Sequence, residues 1–198
     1  ELGGKVVTLS GPDGYIYDSE GITGEKIDYM LEMRASCRDM VKDYADRFHV
    51  EYHAGEKPWG RVNADIYMPC ATQNDVHKED AQRILEEGHS KILIEVANMP
   101  TTQEAVDLLS ENGVVILPSK AVNAGGVAVS SLEMSQNAEH LSWTKEEVDA
   151  KLREIMQNIF HSIDDVSARY GCPGNYIAGA NLAGFQKVAE AMLAQGVC

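Results

Sequence analysis

The chain has 198 residues, 44 % apolar and 24 % charged, and its seventeen Lys and Arg face thirty-one Asp and Glu for a net charge of −14. That mixture belongs to a folded chain rather than a disordered one, and the length suits one large domain or one and a half small ones. The negative field repels phosphate backbones and anionic membrane surfaces, but leaves room for a small anionic ligand in a locally favourable pocket. No apolar run approaches the ~18 residues of a membrane span, and no basic start with an apolar stretch marks a secretory signal.

In chain order, Glu1-Leu2-Gly3-Gly4 reads as the end of a helix running into a turn, as though the chain opened inside a fold. Lys5-Val6-Val7-Thr8-Leu9 is a β-branched run closed by the turn formers Ser10-Gly11-Pro12-Asp13-Gly14, with Tyr15-Ile16-Tyr17 extended after it. From Glu25 to Phe48, apolar residues at steps of three and four predict one face of a long helix broken at Arg34. Glu51 to Arg61, with Gly55, Pro58 and Gly60, reads mostly as loop, although Val50 and Tyr52 have the spacing of a strand.

Ala64–Pro69, Lys91–Ala97 and Val114–Pro118 read as three further strands. A helix ending near Gly88 lies between the first two, and one from Thr101 to Asn112-Gly113, with capping-box spacing from Thr101 to Glu104, lies between the last two. Strands alternating with helices of this length predict βαβ crossovers and a mostly parallel sheet. A second capping box, Thr144 to Glu147, opens a helix expected to reach Tyr170. A final helix carries Ala178, Leu182, Phe185, Val188, Ala189 and Met192. Pattern alone thus gives an open α/β sheet with extra C-terminal helices.

Open α/β sheets bind ligands beyond the carboxyl ends of their strands. After one strand comes Cys70-Ala71-Thr72-Gln73-Asn74, where small side chains let a flat ligand approach the backbone; the same residues also suit an ordinary βα loop with a helix cap. Asn98, in Ala97-Asn98-Met99-Pro100-Thr101-Thr102, can hold a carboxamide or ribose hydroxyl, or simply stabilise a turn. In Asn123-Ala124-Gly125-Gly126-Val127 two glycines open a helix whose amides can face a ligand, and Ser130 shares a helical face with Val127. Asp13 ends the first strand of this chain, and in a dinucleotide fold an acid near the end of the second strand favours a free ribose hydroxyl over a 2′-phosphate; Pro12-Asp13-Gly14 is equally a plain turn.

Other candidates carry less. His49 and His53 have i, i+4 spacing, but two ligands do not make a metal site. Nothing pairs Cys70 with a base, so packing or a backbone contact suits it better than nucleophilic work. Tyr15, Tyr17, Tyr29 and Trp59 suit packing rather than a stacking platform. Cys37, Cys70, Cys172 and Cys198 lie far apart and form no Cys-x-x-Cys, which fits thiols in a reducing cytoplasm.

Together these strand ends resemble the hexameric glutamate dehydrogenases. The matching runs also include Lys5–Ser10, Glu133-Met134-Ser135-Gln136-Asn137, Leu141-Ser142-Trp143 and Gly179-Ala180-Asn181-Leu182-Ala183-Gly184-Phe185, so that the likeness covers almost the whole chain in order. The resemblance implies a Rossmann-type α/β domain over residues 1–142 whose first strand and Gly-rich turn are absent, with C-terminal helices over 143–198 packing on it and at an inter-domain cleft. It implies oxidative deamination of L-glutamate to 2-oxoglutarate and ammonia, with hydride passing to NAD, in a cytoplasmic homohexamer. Gly11, Pro12, Asp13, Cys70, Ala71, Thr72, Asn98 and Asn123 fall at cofactor-contacting positions, and Val127 and Ser130 at substrate-contacting ones. Gly11-Pro12-Asp13 is similar to NAD-using members. The resemblance puts the catalytic Lys and Asp in a preceding substrate domain, and none of the lysines here matches those motifs, so no catalytic residue is assigned and the piece alone is expected to be inactive. The alternatives are a leucine, phenylalanine or valine dehydrogenase domain, or a non-catalytic nucleotide-binding module.

Overall fold

A computed structural model describes residues 3–196; the helix end expected at Glu1-Leu2, and Cys198, lie outside these residues. The chain divides into two compact units, one comprising residues up to Ala64 together with Gln82–His89, the other Asp65–Ala81 with the residues from Ser90 onward.

The first unit is built on an antiparallel sheet of β1 (Thr8–Gly11), β2 (Gly14–Tyr17) and β3 (Glu51–Ala54), in the order β1-β2-β3. Gly11 pairs with Gly14 across Pro12-Asp13, so the turn formers close a hairpin rather than simply ending a strand. Gly14 has φ +145°, and a Cβ there would stand 2.2 Å from the His53 carbonyl oxygen, so only glycine lets β2 run this close to β3. β3 corrects the expectation of a loop from Glu51: the stretch pairs as far as Ala54 and turns only at Gly55, φ +69°. His53 lies in this strand and stacks on Tyr15 with ring centroids 4.5 Å apart, while His49 caps the preceding helix; the helical i, i+4 pair does not exist.

The long helix expected from Glu25 is two: α1 (Glu25–Ala35) and α2 (Val41–Phe48). The break falls just beyond Arg34, where Cys37 takes a left-handed φ of +55° and is exposed rather than part of an apolar face. Ile16, Met33, Val41 and Tyr44 form the core of this unit, each fully buried aliphatic side chain contributing roughly 1.5–3 kcal/mol. Tyr15 and Trp59 are buried, in keeping with packing roles.

One charge lies deep in this unit. Asp18, 2 % exposed, accepts from Lys26 Nζ at 2.6 Å and from the Tyr44 hydroxyl at 2.9 Å. Burial alone would push its carboxyl up, but the Lys26 and Tyr44 bonds outweigh burial and hold it below its ordinary value.

The second unit carries the expected parallel sheet: β4 (Ile66–Tyr67), β5 (Ile92–Ile94) and β6 (Val115–Leu117), in the order β4-β5-β6. The connections run through α3 (Lys78–Glu86) and α4 (Gln103–Glu111), as parallel pairing demands. Leu93 on the central strand is 1 % exposed, with Tyr67, Val76, Ala105, Leu109 and Ile116 also buried. After β6 come α5 (Ser119–Val122), α6 (Ala124–Glu139), α7 (Lys145–Arg169) and α8 (Tyr176–Gln195).

The capping box at Thr144 forms, with Glu147 N donating to Thr144 Oγ1 and Glu147 Oε2 accepting from Thr144 N. The one expected at Thr101 does not. Thr101 is held extended by a parallel bridge to Val76, the N-cap moves to Thr102, and no side chain caps α4. α7 and α8 pack closely at Gly179, where a Cβ would stand 2.5 Å from the Ile163 carbonyl oxygen. Further along α8, Phe185, Val188 and Met192 are exposed. Among the described residues no helix is long and apolar enough to cross a membrane.

Candidate functional site

The carboxyl ends of the parallel strands in the second unit border a cleft of about 550 Å³. That is ample for a small ligand or one half of a larger one. Ala71 and Gln73 reach it from the loop after β4, and Val96, Ala97 and Asn98 from the loop after β5. Asn123, Gly126, Val127 and Ser130 line it from the end of α5 and the first turns of α6.

The loops are fixed by backbone bonds rather than by regular structure. Asn74 N donates to Met99 O at 3.0 Å, Val76 N to Pro100 O at 2.9 Å, and Thr102 N to Val76 O at 3.0 Å. Val96 N and Ala97 N both donate to Pro69 O. Asn74 and Met99 take left-handed φ values of +53° and +45°, a local strain held in place by this lacing.

Across the cleft wall, Asn123 Nδ2 donates to Asn98 Oδ1 at 2.5 Å. That bond uses one donor of Asn123 and the acceptor of Asn98, leaving the Asn98 NH₂ and the Asn123 carbonyl oxygen. One donor and one acceptor are what a ligand carboxamide requires, so the donor set fits a nicotinamide amide. The lining side chains carry no ionisable group, so the cleft adds no charge of its own against an anionic ligand. Ser130 Oγ donates to the Gly126 carbonyl oxygen at 3.2 Å within its helix, leaving its lone pairs to accept; to hold a carboxylate the hydroxyl must rotate and donate outward. Val127 is 72 % exposed.

Of the residues singled out in the sequence, Ala71, Asn98, Asn123, Val127 and Ser130 come together here. Cys70 and Thr72 share the loop after β4 but do not line the cleft. Cys70 Sγ donates to Met68 O at 3.2 Å, and burial pushes its thiol up, away from the thiolate a nucleophile needs. Gln73, Ala97 and Gly126, which belong to the same candidate segments, complete the lining together with Val96, which the sequence pattern places inside a strand.

Gly11, Pro12 and Asp13 belong to the first unit. There Asp13 Oδ1 accepts from Val41 N at 3.0 Å, and Oδ2 from Lys42 N at 2.9 Å and from Tyr52 Oη at 3.2 Å. Met40, the N-cap of α2, offers no side-chain acceptor, so Asp13 supplies one from a distant turn. Burial raises the Asp13 carboxyl, but the Lys42 and Val41 amides and the Tyr52 hydroxyl outweigh it, and the group stays charged below its ordinary value.

Residues 1–196 match the model of the glutamate/leucine/phenylalanine/valine dehydrogenases. The chain belongs to this family. Its relatives include the NAD-specific glutamate dehydrogenase of Clostridium symbiosum, 61 % identical over the whole of this chain and 44 % of that protein. The NADP-specific glutamate dehydrogenase of Haemophilus influenzae is 49 % identical over 99 % of this chain and 43 % of that protein. A solved glutamate dehydrogenase superposes with a TM-score of 0.94 at 60 % identity, over 100 % of this chain and 44 % of that one. The chain thus spans less than half the length of the family members it matches.

Proposed function

We propose that this chain is the nicotinamide-binding part of an NAD-dependent glutamate dehydrogenase, which oxidises L-glutamate to 2-oxoglutarate and ammonia as a cytoplasmic homohexamer. The family match over residues 1–196, joined to the amide-lined cleft at the parallel strand ends, carries the reading. When bound, the dinucleotide supplies the hydride acceptor. Asn98 and Asn123 hold its carboxamide, turning the nicotinamide ring so that one face is open to substrate. Ala71, with no side chain beyond Cβ, lets the flat ring lie close to the loop; Cys70 and Thr72 contribute from the same loop through their backbone or hydroxyl.

Val127 and Ser130 form the far end of the substrate pocket. The Ser130 hydroxyl donates to the side-chain carboxylate of glutamate, a group that an enzyme for leucine, phenylalanine or valine has no use for. Gly11 and Pro12 shape the turn that meets the adenosine ribose. The charge on Asp13 supports NAD, since a carboxylate kept ionised by its own hydrogen bonds repels a 2′-phosphate. Relatives specific for NAD and for NADP lie on either side of this choice. No proton-transfer residue is assigned within the chain.

The test is made on the full-length enzyme. Glutamate-dependent reduction of NAD, with NADH binding tighter than NADPH, is expected; tighter NADPH binding overturns the cofactor assignment. Ser130→Ala is expected to depress glutamate turnover, and unchanged turnover overturns the substrate assignment.

A further inference from the structure

A buried carboxylate stands just behind the cleft. Glu95 follows β5 directly and is 7 % exposed, yet its Oε2 accepts only one hydrogen bond among the described residues, from Ser119 N at 3.1 Å. Ser119 opens α5, and its N-cap is Pro118, which has no side-chain acceptor to offer. Glu95 therefore does for α5, from a neighbouring strand, what a capping side chain does locally. Its oxygen meets the first amide of the helix, as a capping oxygen does. Its own amide donates to Leu117 O at 3.0 Å, so strand and helix start are joined twice within one residue.

The other end of the same two segments is joined as well. Four residues along from Glu95 and five from Ser119, counting inclusively, Asn98 and Asn123 share their 2.5 Å bond, and Asn123 N donates to Ser119 O at 2.9 Å. Residues 95–98 and 119–123 form a closed frame with a side-chain tie at each end. The outer tie is the amide pair that faces the cleft; the inner tie is Glu95. A buried carboxylate carries a desolvation cost that a packed apolar residue would not, so stability alone does not account for it. We propose that Glu95 is a positioning residue, which fixes the start of α5 against β5 and so sets Asn123 against Asn98 in the geometry that receives the ligand carboxamide. This rests on the reading of the cleft as the nicotinamide end of a cofactor site.

Three variants of the full-length enzyme test it. Glu95→Ala removes the acceptor, and Glu95→Gln keeps an oxygen acceptor without the charge. Ser119→Pro removes the donor at a first-turn position that proline tolerates, following a Pro118 whose ψ of 144° already suits it. Binding of NADH is measured by titration, KM and kcat by steady-state assay, and Ser119 amide exchange without any cofactor. Glu95→Ala and Ser119→Pro are expected to raise the NADH dissociation constant and the NAD KM about tenfold, with the glutamate KM unchanged within about twofold. Glu95→Gln is expected to restore NADH binding to within about twofold of the parent. In Glu95→Ala the Ser119 amide loses its protection before any ligand is added.

Parental NADH binding in a folded Glu95→Ala enzyme overturns the positioning role. So does a Glu95→Gln enzyme as weak as Glu95→Ala, because the charge rather than the tie would then be acting. If the parent enzyme binds neither NADH nor NADPH, the cofactor reading itself falls and the role goes with it. Amide exchange separates that outcome from a failed tie.

Discussion

In the antiparallel unit the carboxylates at strand ends are taken up by the fold. Asp13 receives two helix amides and a tyrosine hydroxyl, and Asp18 holds Lys26 and Tyr44 in the interior. In the parallel unit the amides beyond the strand ends stay half-committed: Asn98 and Asn123 bond each other and leave the Asn98 NH₂ and the Asn123 carbonyl oxygen open, and Ser130 in α6 bonds only its own helix. Similar positions at the ends of strands thus hold structure in one unit and present chemistry in the other. What separates them is whether a helix start or a half-buried cation lies within reach. Glu95 crosses the line, being a buried acid of the parallel unit that holds a helix start directly behind the cleft.

The comparison can be broken by substitution in the full-length protein, and Trp59 and Trp143 fall one in each unit to report separately. Asp18→Ala leaves the buried Tyr44 hydroxyl without its acceptor and Lys26 with the Gly21 carbonyl oxygen alone, and should cost the antiparallel unit about 3 kcal/mol, read from urea unfolding by Trp59 fluorescence. A loss below a quarter of that would show the Asp18 contacts to be dispensable. Asp13→Ala removes the surrogate cap of α2 and should cost about 1 kcal/mol by the same measurement. If Asp13 acts only on the cofactor, the urea midpoint will not move.

Acid sharpens the contrast. Both aspartates sit below their ordinary value of 3.8 in the folded state, so their contribution is complete above that pH and is lost as pH falls through the lower folded values. The melting temperature reported by Trp59 should therefore drop below about pH 4, and Asp18→Asn should flatten that drop. A parental slope in Asp18→Asn would assign the acid sensitivity to other groups. The smallest stability effect belongs to the cleft. Asn123→Ala should change unfolding of the parallel unit by no more than about 0.5 kcal/mol, while weakening NADH binding about tenfold. A large stability loss with binding intact would make the amide pair part of the fold after all.

The sequence was readable where its signals are local. Thr144 and Glu147 are one helical turn apart, and their box forms as expected. The same spacing at Thr101 and Glu104 failed because Val76, distant in sequence, draws Thr101 into a bridge. β3 was only half legible for a related reason: Val50 and Tyr52 have strand spacing, but Glu51-Tyr52-His53-Ala54 is short and is fixed as a strand by pairing with β2. The cleft residues were visible because strand ends are where an open sheet places ligands, and Ala71, Asn98 and Asn123 all lie there. The tie between Asn98 and Asn123 was not visible, nor was that between Glu95 and Ser119, since each joins residues about two dozen apart through the crossover. Asp13 shows the limit from the other side. A turn residue with an expected external role turned out to have a full internal one, which only the fold could reveal.

The antiparallel unit is interrupted in sequence, since Gln82–His89 return to it after residues 65–81 have left for the other. Arg83 then donates to the Trp59 carbonyl oxygen at 3.2 Å, and Ile84 becomes 1 % exposed. On a ribosome this imposes an order of events. A nascent chain that has emerged only to Ala64 cannot finish its first unit, and must wait for a segment still being made while it begins the second. Pausing in that interval would leave surface that Ile84 and its neighbours later cover, and a truncation at Ala64 would lock that state in. The two units are therefore interleaved in the timetable of synthesis, even though each has its own sheet.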